Sequence, residues 1–341
     1  MSKTICCVAG RSGGHIIPCL TYVQHLQEKN PQTSILFFST HNTLDASILK
    51  SFPTITDHVA LPFDGLPTKR NIFPWLGVIQ QLCISSIKII YKLIMQRPSV
   101  IISTGGYIAV PVCFIGYILR IPIELFELNA IPGKATLFLA RYATIIHTCF
   151  PEAQSYFKRH KTDVIPYPVR FSTKSIPSRQ EAEMHMGFDA AKKTLLILGG
   201  SQGSHFINKL LQEACKEYPT FFKSLQIIHQ TGEQAQDIKA FYTAKNITSC
   251  VFSYTPGMEL FYPAADIVIC RAGAGTLFET LYFKKKALII PLETHTTDHQ
   301  VDNALSLCKQ YPDLFKLIYQ RDLTLDKDLF IQQLQQMLDS M

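Results

Sequence analysis

A glycine turn that carries a histidine follows the first apolar segment of the chain. It lies within GRSGGHIIP (10–18), directly after TICCVA (4–9), which is short, apolar and predicted to be a buried strand. Residues 16–28 are predicted to form a helix, so the glycines connect a strand to a helix. Glycines let backbone N–H groups approach a ligand closely, and a helix N-terminus favours negative charge. The segment therefore predicts an anion site, and a tight turn without a ligand is the alternative.

A more specific turn lies within ADIVICRAGAGTLFETLYF (265–283), where an apolar strand again leads through glycines into a helix. The N–H groups near Ala274, Gly275 and Thr276 are expected to point at an anion, to which Thr276 adds a hydroxyl. Glu279 follows three residues later, where it either closes a capping box with Thr276 or accepts hydrogen bonds from a ribose diol. A diphosphate on the turn and a ribose on the carboxylate describe a nucleotide-sugar site.

Polar residues crowd the next strand end, in PLETHTTDHQVDNAL (291–305). Asp298, His299, Gln300 and Asn303 are suited to reading sugar hydroxyls. The alternative is a metal held by His295, Asp298 and His299, but their spacing matches no strong metal motif. Binding of NAD or ATP is weakly supported, because the first turn is not G-x-G-x-x-G and neither glycine turn ends in the Lys-Ser/Thr of a P-loop.

Strands and helices alternate along the chain, which predicts an α/β fold with parallel sheets covered on both faces. The strand candidates are 4–9, 34–39, 99–103, 121–126, 144–148, 194–198, 225–229, 266–270 and 287–291. The segment KKTLLILGGSQGSHFINKLL (192–211) repeats the opening strand, glycine turn and helix, after a proline-rich linker, VIPYPVRFSTKSIPSR (164–179). We therefore predict two Rossmann-like doubly wound domains, 1–165 and 166–341, facing a cleft into which both glycine turns open.

Composition favours a folded protein of a reducing compartment. Of the 341 residues, 47% are hydrophobic and only 17% are charged, which argues against disorder. The ten cysteines form no CxxC pair, and Cys6 and Cys7 are adjacent within a predicted strand, which suits buried free thiols. The N-terminus lacks the apolar core of a signal peptide, so a cytosolic location is expected.

The net charge of +7 is confined to the first half, where residues 1–165 hold fifteen Lys and Arg against eight Asp and Glu. No acidic residue lies between Asp64 and Glu124, where GLPTKRNIFPWLGVIQQLCISSIKIIYKLI (65–94) sets Ile72, Phe73 and Trp75 beside lysine and arginine. A helix from about residue 76 is expected to be too polar and interrupted to span a membrane. An apolar tip ringed by cations indicates contact with an anionic membrane surface, and a nucleic-acid partner is disfavoured.

Several motifs, taken in this order, resemble the MurG family of transferases, which belongs to glycosyltransferase family 28. They are GRSGGHIIP, STGGYIAVP, ELNAIPGK, PVR, GGSQGS, HQTG, CRAGAGTLFE and DHQVDNA, and together the similarity covers roughly residues 4–310. The resemblance implies a GT-B fold and an inverting hexosyltransferase that moves GlcNAc from UDP-GlcNAc to the C4 hydroxyl of MurNAc in lipid I, forming lipid II for peptidoglycan synthesis. It also implies a peripheral location on the cytoplasmic face of the bacterial inner membrane, with other cell-wall synthesis proteins as further partners.

The resemblance assigns the acceptor to the N-terminal half and the donor to the C-terminal half. On the acceptor side it implies that Ser12, Gly13 and Gly14 receive the pyrophosphate, that Tyr107 lines the site, and that His15 and Asn129 take part in catalysis. A neutral histidine suits a general base, and its place at a helix N-terminus is expected to lower its pKa. On the donor side the implied contacts are Arg170 and Ser201 to the nucleotide, backbone near Met258 to uracil, Ala274, Gly275 and Thr276 to the diphosphate, Glu279 to the ribose, and Gln300 to the sugar. No tightly bound cofactor is implied, although a divalent cation can accompany the pyrophosphate substrate.

Three departures from the family pattern are expected to matter. Phe126 and Leu128 replace polar family residues, which removes two polar contacts from the acceptor side, and Arg11 replaces a smaller residue. The family usually adds helices after DLFIQQLQQML, so looser domain closure or a reduced homologue is expected. A divergent GT-B protein with another lipid acceptor, or one that binds UDP-sugar without turnover, is therefore the alternative.

Overall fold

The computed structural model describes residues 3–10, 13–50, 52, 54–63, 72–171, 176–200, 202–294, 299–326 and 328–341. The chain divides into two compact units, Met1–Arg170 and Phe171–Met341. The predicted boundary was 165/166, and the assignment of acceptor and donor to the two halves stays a prediction. Ser12 and Ser201, and the metal candidates His295 and Asp298, lie outside the described residues.

The N-terminal unit is a parallel sheet wrapped by helices. Its elements are β1 (Thr4–Val8), α1 (Gly13–Lys29), β2 (Ser34–Thr40), α2 (Thr43–Lys50), β3 (Asp57–Leu61), α3 (Ile72–Gln96), β4 (Val100–Ser103), α4 (Ala109–Ile118), β5 (Ile123–Glu127), α5 (Lys134–Leu139), β6 (Ile145–Thr148) and β7 (Thr162–Val164). The seven strands are all parallel, in the order β3-β2-β1-β4-β5-β6-β7. The order reverses between β1 and β4, which makes that crevice the expected ligand position of a doubly wound sheet.

The C-terminal unit repeats this arrangement. Its elements are α6 (Arg179–Met186), β8 (Lys193–Leu198), α7 (His205–Glu217), α8 (Pro219–Lys223), β9 (Leu225–Gln230), α9 (Ala235–Ala244), β10 (Thr248–Phe252), α10 (Phe261–Ala264), β11 (Ile267–Cys270), α11 (Ala274–Tyr282), β12 (Lys286–Ile289), α12 (His299–Gln310), β13 (Phe315–Leu317), α13 (Gln320–Leu325) and α14 (Asp328–Asp339). Its six parallel strands follow the order β10-β9-β8-β11-β12-β13, so the reversal falls between β8 and β11. The predicted α/β class, with two doubly wound parallel sheets, is confirmed.

The predicted strands all form, and the four additional ones are the edges of the two sheets. β3 and β7 border the first sheet, and β10 and β13 border the second. They are short and partly polar, as in DHVAL and TDV, because an edge strand has only one neighbour and faces solvent. Their sequences therefore lack the continuous apolar run that identifies a buried strand.

Helix α3 packs on the N-terminal unit along a single stripe. Val78, Ser85, Ile89 and Leu93 are buried, and burial of a large aliphatic side chain such as Ile89 contributes about 1.5–3 kcal/mol to folding. The expectation that this segment is too polar and interrupted to span a membrane is wrong by length and composition, because Leu76–Gln96 is continuous, long and apolar enough to do so. Helix α3 nevertheless packs on the N-terminal unit, because Ile89 and Leu93 belong to the same buried cluster as the strand residues Leu36 and Ile101.

All ten cysteines are free, and Cys6 and Cys7 are fully buried, as the sequence predicts. Burial raises the pKa of both thiols well above the usual value. These thiols are therefore core residues that are poorly suited to nucleophilic chemistry.

Candidate functional site

The reversal point of the first sheet is bridged by His15 and Thr104. His15 lies in the first turn of α1, directly after β1, and Thr104 follows the neighbouring strand β4. The Nδ1 atom of His15 lies 2.8 Å from the carbonyl oxygen of Thr104, and the Thr104 hydroxyl donates to the carbonyl of His15 at 2.9 Å. Because a carbonyl only accepts, Nδ1 carries the proton and Nε2 is the accepting nitrogen of the neutral ring. The ring is thereby fixed in the tautomer that a general base at Nε2 requires.

The predicted residues of the neighbouring turn lie beside this bridge. Gly105 and Gly106 have φ values of +93° and +86°, which a residue with a side chain rarely adopts. They turn the chain after β4 so that Tyr107 emerges 45% exposed ahead of α4. Gly13 and Gly14, which were also predicted to meet an anion, are the first two residues of α1, the helix that follows the adjacent strand β1.

A buried carboxylate organises the loop after β5. Glu127 is 3% exposed, and its Oε1 accepts from the backbone N–H of Asn129 at 3.0 Å and from the Asn129 amide at 3.3 Å. Its Oε2 accepts from the N–H of Gly133 at 3.0 Å. Burial raises the pKa of Glu127, while hydrogen bonds from Asn129, Gly133 and Thr136 act in the opposite direction. Glu127 therefore fixes the position of Asn129, one of the two predicted catalytic residues.

The two apolar departures in this motif belong to the core. Phe126 is 1% exposed, and its ring lies 4.5 Å from that of Tyr22 and 4.7 Å from that of His147, measured between centroids. Leu128 is likewise buried. Both side chains therefore pack in the interior, and the expected loss of two polar contacts on the acceptor side stays a prediction.

In the second unit, α11 begins at Ala274, directly after the central strand β11. Ala274, Gly275 and Thr276 form its first turn, where N–H groups have no intrahelical acceptor and can meet an anion. The N-cap residue is Gly273, so Thr276 is the third residue of the helix and Glu279 lies in the next turn. The alternative of a capping box between Thr276 and Glu279 is therefore wrong.

Glu279 is held by an aromatic side chain from a neighbouring helix. The hydroxyl of Tyr262, which is fully buried, donates to Oε2 of Glu279 at 3.2 Å, and the Tyr262 ring stacks on Phe283 with centroids 4.8 Å apart. Met258, predicted to lie beside the base, is 3% exposed, and its own N–H donates to Pro256 at 3.0 Å. Arg170 is the last residue of the first unit and is half-buried.

The start of α12 supports the loop after β12. The Oε1 atom of Gln300 accepts from the N–H of Leu292 at 3.1 Å, and the amide of fully buried Asn303 donates to the carbonyl of Ala272 at 3.3 Å. Asn303 thus supports the turn before α11, and Gln300 supports the chain after β12 through its Oε1. Within the described ranges no group of three His, Cys, Asp or Glu residues is arranged to hold a metal ion.

Two glycine turns of the second unit pack backbone to backbone. A Cβ on Gly203 would lie 2.3 Å from the carbonyl oxygen of Thr231, and a Cβ on Gly232 would lie 2.1 Å from that of Gln202. These turns follow the adjacent strands β8 and β9, and they correspond to the GGSQGS and HQTG motifs. The glycines are required at these positions because only hydrogen fits between the two chains.

A buried histidine holds the same two turns. Nε2 of His229 lies 3.1 Å from Oδ1 of Asn208, and its Nδ1 lies 2.9 Å from the hydroxyl of Tyr242. The Asn208 amide donates to the carbonyl of Thr231 at 3.0 Å and to Gln234 at 2.8 Å. Oδ1 of Asn208 only accepts, so Nε2 of His229 donates to it and the neutral ring satisfies every partner. Burial lowers the pKa of His229 to about 3.

This depressed pKa predicts a loss of stability in acid. The unfolded chain binds a proton below about pH 6.5, whereas the folded chain keeps His229 neutral down to about pH 3. The stability that His229 contributes is therefore complete above pH 6.5 and falls by up to about 1.4 kcal/mol per pH unit below it. Urea unfolding of the wild type and of His229→Leu between pH 7 and pH 4.5 measures this. The variant should be less stable at pH 7, but its free energy of unfolding should depend less on pH. An equally steep decline of that free energy in both proteins contradicts the prediction.

Three supporting residues, Thr104, Glu127 and Tyr262, were not predicted. Thr104 lies within STGGYIAVP and Glu127 within ELNAIPGK. The partner that defines the role of Thr104 is 89 residues away in sequence, and the partners of Glu127 are 2–6 residues away. Tyr262 precedes the strand that leads to Glu279, and its only sequence signal was an aromatic residue before an apolar run.

Comparison with known proteins matches both halves of the chain to one family. Residues 5–148 match the glycosyltransferase family 28 N-terminal domain, and residues 194–340 match the glycosyltransferase family 28 C-terminal domain. The chain is 34% identical over 311 residues to the Protochlamydia amoebophila UDP-N-acetylglucosamine–N-acetylmuramyl-(pentapeptide) pyrophosphoryl-undecaprenol N-acetylglucosamine transferase, covering 89% of this chain and 79% of that protein. It is 28% identical to a Bacillus thuringiensis transferase of the same designation, covering 92% of this chain and 85% of that one.

Solved structures agree on the fold. The crystal structure of Acinetobacter baumannii MurG matches with a TM-score of 0.71 at 23% identity, over 97% of this chain and 90% of that chain. A Medicago truncatula enzyme crystallised with UDP-glucose matches with a TM-score of 0.62 at 11% identity, over 93% of this chain and 85% of that one. At these identities the likeness concerns the arrangement of sheets and helices.

Proposed function

This chain belongs to glycosyltransferase family 28, and on that premise we propose that it is an inverting hexosyltransferase that moves GlcNAc from UDP-GlcNAc to the C4 hydroxyl of MurNAc in lipid I. The product is lipid II, the substituted disaccharide precursor of peptidoglycan. The observation that carries the proposal is 34% identity to a transferase of that designation over 89% of this chain, across both family domains.

On the acceptor side, His15 acts as the general base. Its Nε2 removes the proton of the C4 hydroxyl while that oxygen attacks C1 of the donor sugar from the face opposite UDP. The hydrogen bond from Nδ1 to Thr104 supports this role, because it holds the ring in the required tautomer. Asn129, held by Glu127, is assigned to the donor sugar or the attacking hydroxyl, and the Gly13–Gly14 turn, with Ser12 and Tyr107, is assigned to the acceptor.

On the donor side, the bond from C1 to the β-phosphate oxygen breaks and its electron pair leaves with UDP. The first turn of α11, at Ala274, Gly275 and Thr276, stabilises this charge through N–H groups and the helix dipole. Glu279 accepts from the ribose, and the hydrogen bond that the Tyr262 hydroxyl donates to its Oε2 supports the position of this carboxylate. The remaining contacts are assigned to Arg170, Ser201, the backbone near Met258 and, for the sugar, Gln300. No resident metal is assigned, and a divalent cation would enter with the pyrophosphate.

We place the enzyme peripherally on the cytoplasmic face of the bacterial inner membrane, bound through one apolar face of its N-terminal unit. The outer side of α3 exposes Ile79, Ile87 and Ile94, at 55%, 69% and 49%. Helix α4, packed against α3, adds Phe114, Tyr117 and Ile118, and the exposed cations Lys88, Arg97 and Arg120 lie on or directly after these helices. Apolar side chains among cations suit an anionic lipid surface.

Replacing three of these isoleucines is expected to weaken membrane binding. The variant Ile79→Ser/Ile87→Ser/Ile94→Ser should bind vesicles with anionic phospholipid about 10-fold or more weakly, since each change removes apolar area from contact with lipid. UDP affinity should stay unchanged. The matched control is Met184→Ser/Leu325→Ser, which removes side chains that are 70% and 87% exposed in the second unit. Equal vesicle binding by all three proteins in a sedimentation assay argues against this membrane face.

The proposed reaction is tested by transfer from radiolabelled UDP-GlcNAc to a short-chain lipid I analogue. Labelled lipid II analogue with a β linkage is the expected product. UDP-GlcNAc binding without product, from this acceptor, would favour another lipid acceptor or a binding-only protein. Absence of both binding and product would reject the transferase proposal.

A further inference from the structure

The buried guanidinium of Arg271 joins three strand ends in the second unit. Arg271 follows β11, which lies between β8 and β12 in the sheet. Its Nε and Nη2 donate to the hydroxyl of Ser204 at 3.1 and 2.8 Å, and its Nη1 donates to the carbonyls of Ile290 and Pro291, each at 3.1 Å. Ser204 is the N-cap of α7, and Ile290 and Pro291 follow β12. A single side chain therefore ties together the turns on both sides of the reversal point.

The charge on this side chain is not balanced within the described part of the chain. Arg271 is only 7% exposed, and no carboxylate among the described residues lies within ion-pair distance of it. Glu293 exerts a weak electrostatic influence, but its carboxylate is paired with Arg321 at 3.3 Å. Burial lowers the pKa of Arg271 to about 10, so it remains a cation at neutral pH. A buried cation without a counter-ion is costly, and such groups are normally paired.

The N-termini of two helices add positive potential beside this cation. Ser204 starts the thirteen-residue helix α7, and Arg271 itself precedes the nine-residue helix α11 by two residues. Both N-termini lie at the reversal point of the sheet. The hydroxyl and carbonyl groups that accept hydrogen bonds from Arg271 are neutral, so they do not balance its charge. An anionic group of the ligand can balance it.

We propose that Arg271 is a positioning residue for the donor turns whose buried charge is balanced by the diphosphate of the nucleotide. The inference rests on the proposed function and deepens it by separating two contributions. The charge sets how strongly affinity increases with each phosphate, and the fork-shaped contacts to Ser204 and the β12 end hold the turns in the geometry needed for transfer.

A series of ligands that differ only in phosphate number separates these contributions. Uridine, UMP and UDP are titrated by calorimetry into the wild type, Arg271→Met and Arg271→Lys. Wild-type affinity should increase with each phosphate. Arg271→Met should bind UDP about 10- to 100-fold more weakly than the wild type and should lose less affinity for UMP. Its affinity for uridine should stay within about 2-fold of the wild-type value. A purely structural role would weaken all three ligands equally.

The remaining variants distinguish charge from geometry. Arg271→Lys and Ser204→Ala keep the cation, so each should retain the UDP-to-uridine affinity ratio within about 3-fold while transfer with saturating UDP-GlcNAc slows. Lys209→Met removes a cation that is 77% exposed on α7 and serves as the matched control without effect on that ratio.

One outcome overturns the inference alone: an unchanged UDP-to-uridine affinity ratio in Arg271→Met, whether the two affinities fall equally or neither falls. If that variant does not fold, collapse of the ratio in Arg271→Lys overturns it equally. A wild type that binds none of the three ligands rejects the proposed function itself.

Discussion

His15→Ala should lower the rate of sugar transfer by about 100- to 10,000-fold, the range typical for loss of a general base. Affinity for UDP should remain unchanged, because His15 belongs to the first sheet and the nucleotide contacts other than Arg170 are assigned to the second unit. The effect should therefore appear in kcat, measured as lipid II formed from saturating labelled UDP-GlcNAc.

The bond between His15 and Thr104 supplies the control for this experiment. Thr104→Val removes the hydroxyl that donates to the His15 carbonyl but keeps the Thr104 carbonyl that holds Nδ1. This variant should lose about 10-fold or less, which is the cost of one hydrogen bond. Added imidazole should partly restore the alanine variant and should not affect Thr104→Val. Full activity of His15→Ala would remove His15 as the base while leaving the proposed reaction in place.

Gly203→Ala should strongly destabilise the second unit. The added Cβ would lie 2.3 Å from the Thr231 carbonyl oxygen and 2.7 Å from the Gly232 nitrogen, both of which are backbone atoms that cannot rotate away. The residue also has φ of +77°, which costs a non-glycine residue about 1–2 kcal/mol. The added methyl group must also push the two turns apart. Because both effects act together, we expect the free energy of unfolding to decrease by about 4 kcal/mol.

Two nearby glycines separate the steric contribution from the conformational one. Gly200 has φ of +92° with no atom within 4 Å of an added Cβ, so Gly200→Ala should cost about 1–2 kcal/mol from backbone strain alone. Gly273 has φ of −66° and equal space, so Gly273→Ala should cost at most about 1 kcal/mol, from the weaker preference for alanine at the N-cap of α11. Chemical denaturation of the three variants should give this order. A Gly203→Ala protein as stable as Gly200→Ala would mean that the two turns can separate freely.

Local patterns predicted the elements that are buried on both faces. Strands such as TLLIL and DIVIC could be identified because the interior of a parallel sheet requires continuous apolar runs. The glycine turns and the helix start near Ala274 followed from the same local patterns, whereas α1 begins at Gly13, three residues before the predicted start at residue 16. Edge strands such as FKL were not predicted because their composition resembles that of loops.

The supporting contacts could not be predicted because they depend on strand order. Thr104 meets His15, and Arg271 meets Ser204, only because β4 lies beside β1 and β11 lies beside β8. Similarly, Phe126 was identified only as an apolar replacement of a polar family residue, and its packing partners could not be predicted. The pleat of β5 turns Phe126 toward α1, while Glu127 on the opposite face reaches the loop.

The short edge strands have a consequence for crowding. Peripheral proteins accumulate on a surface at high local density, where an exposed sheet rim can template pairing with another chain. Here the four rims are only three to five residues long, and Asp57 and Asp163 place carboxylates in β3 and β7. A rim of that length offers too few consecutive hydrogen bonds to nucleate a cross-β stack. At the membrane surface proposed above, the short rims would therefore disfavour polymerisation through the sheets.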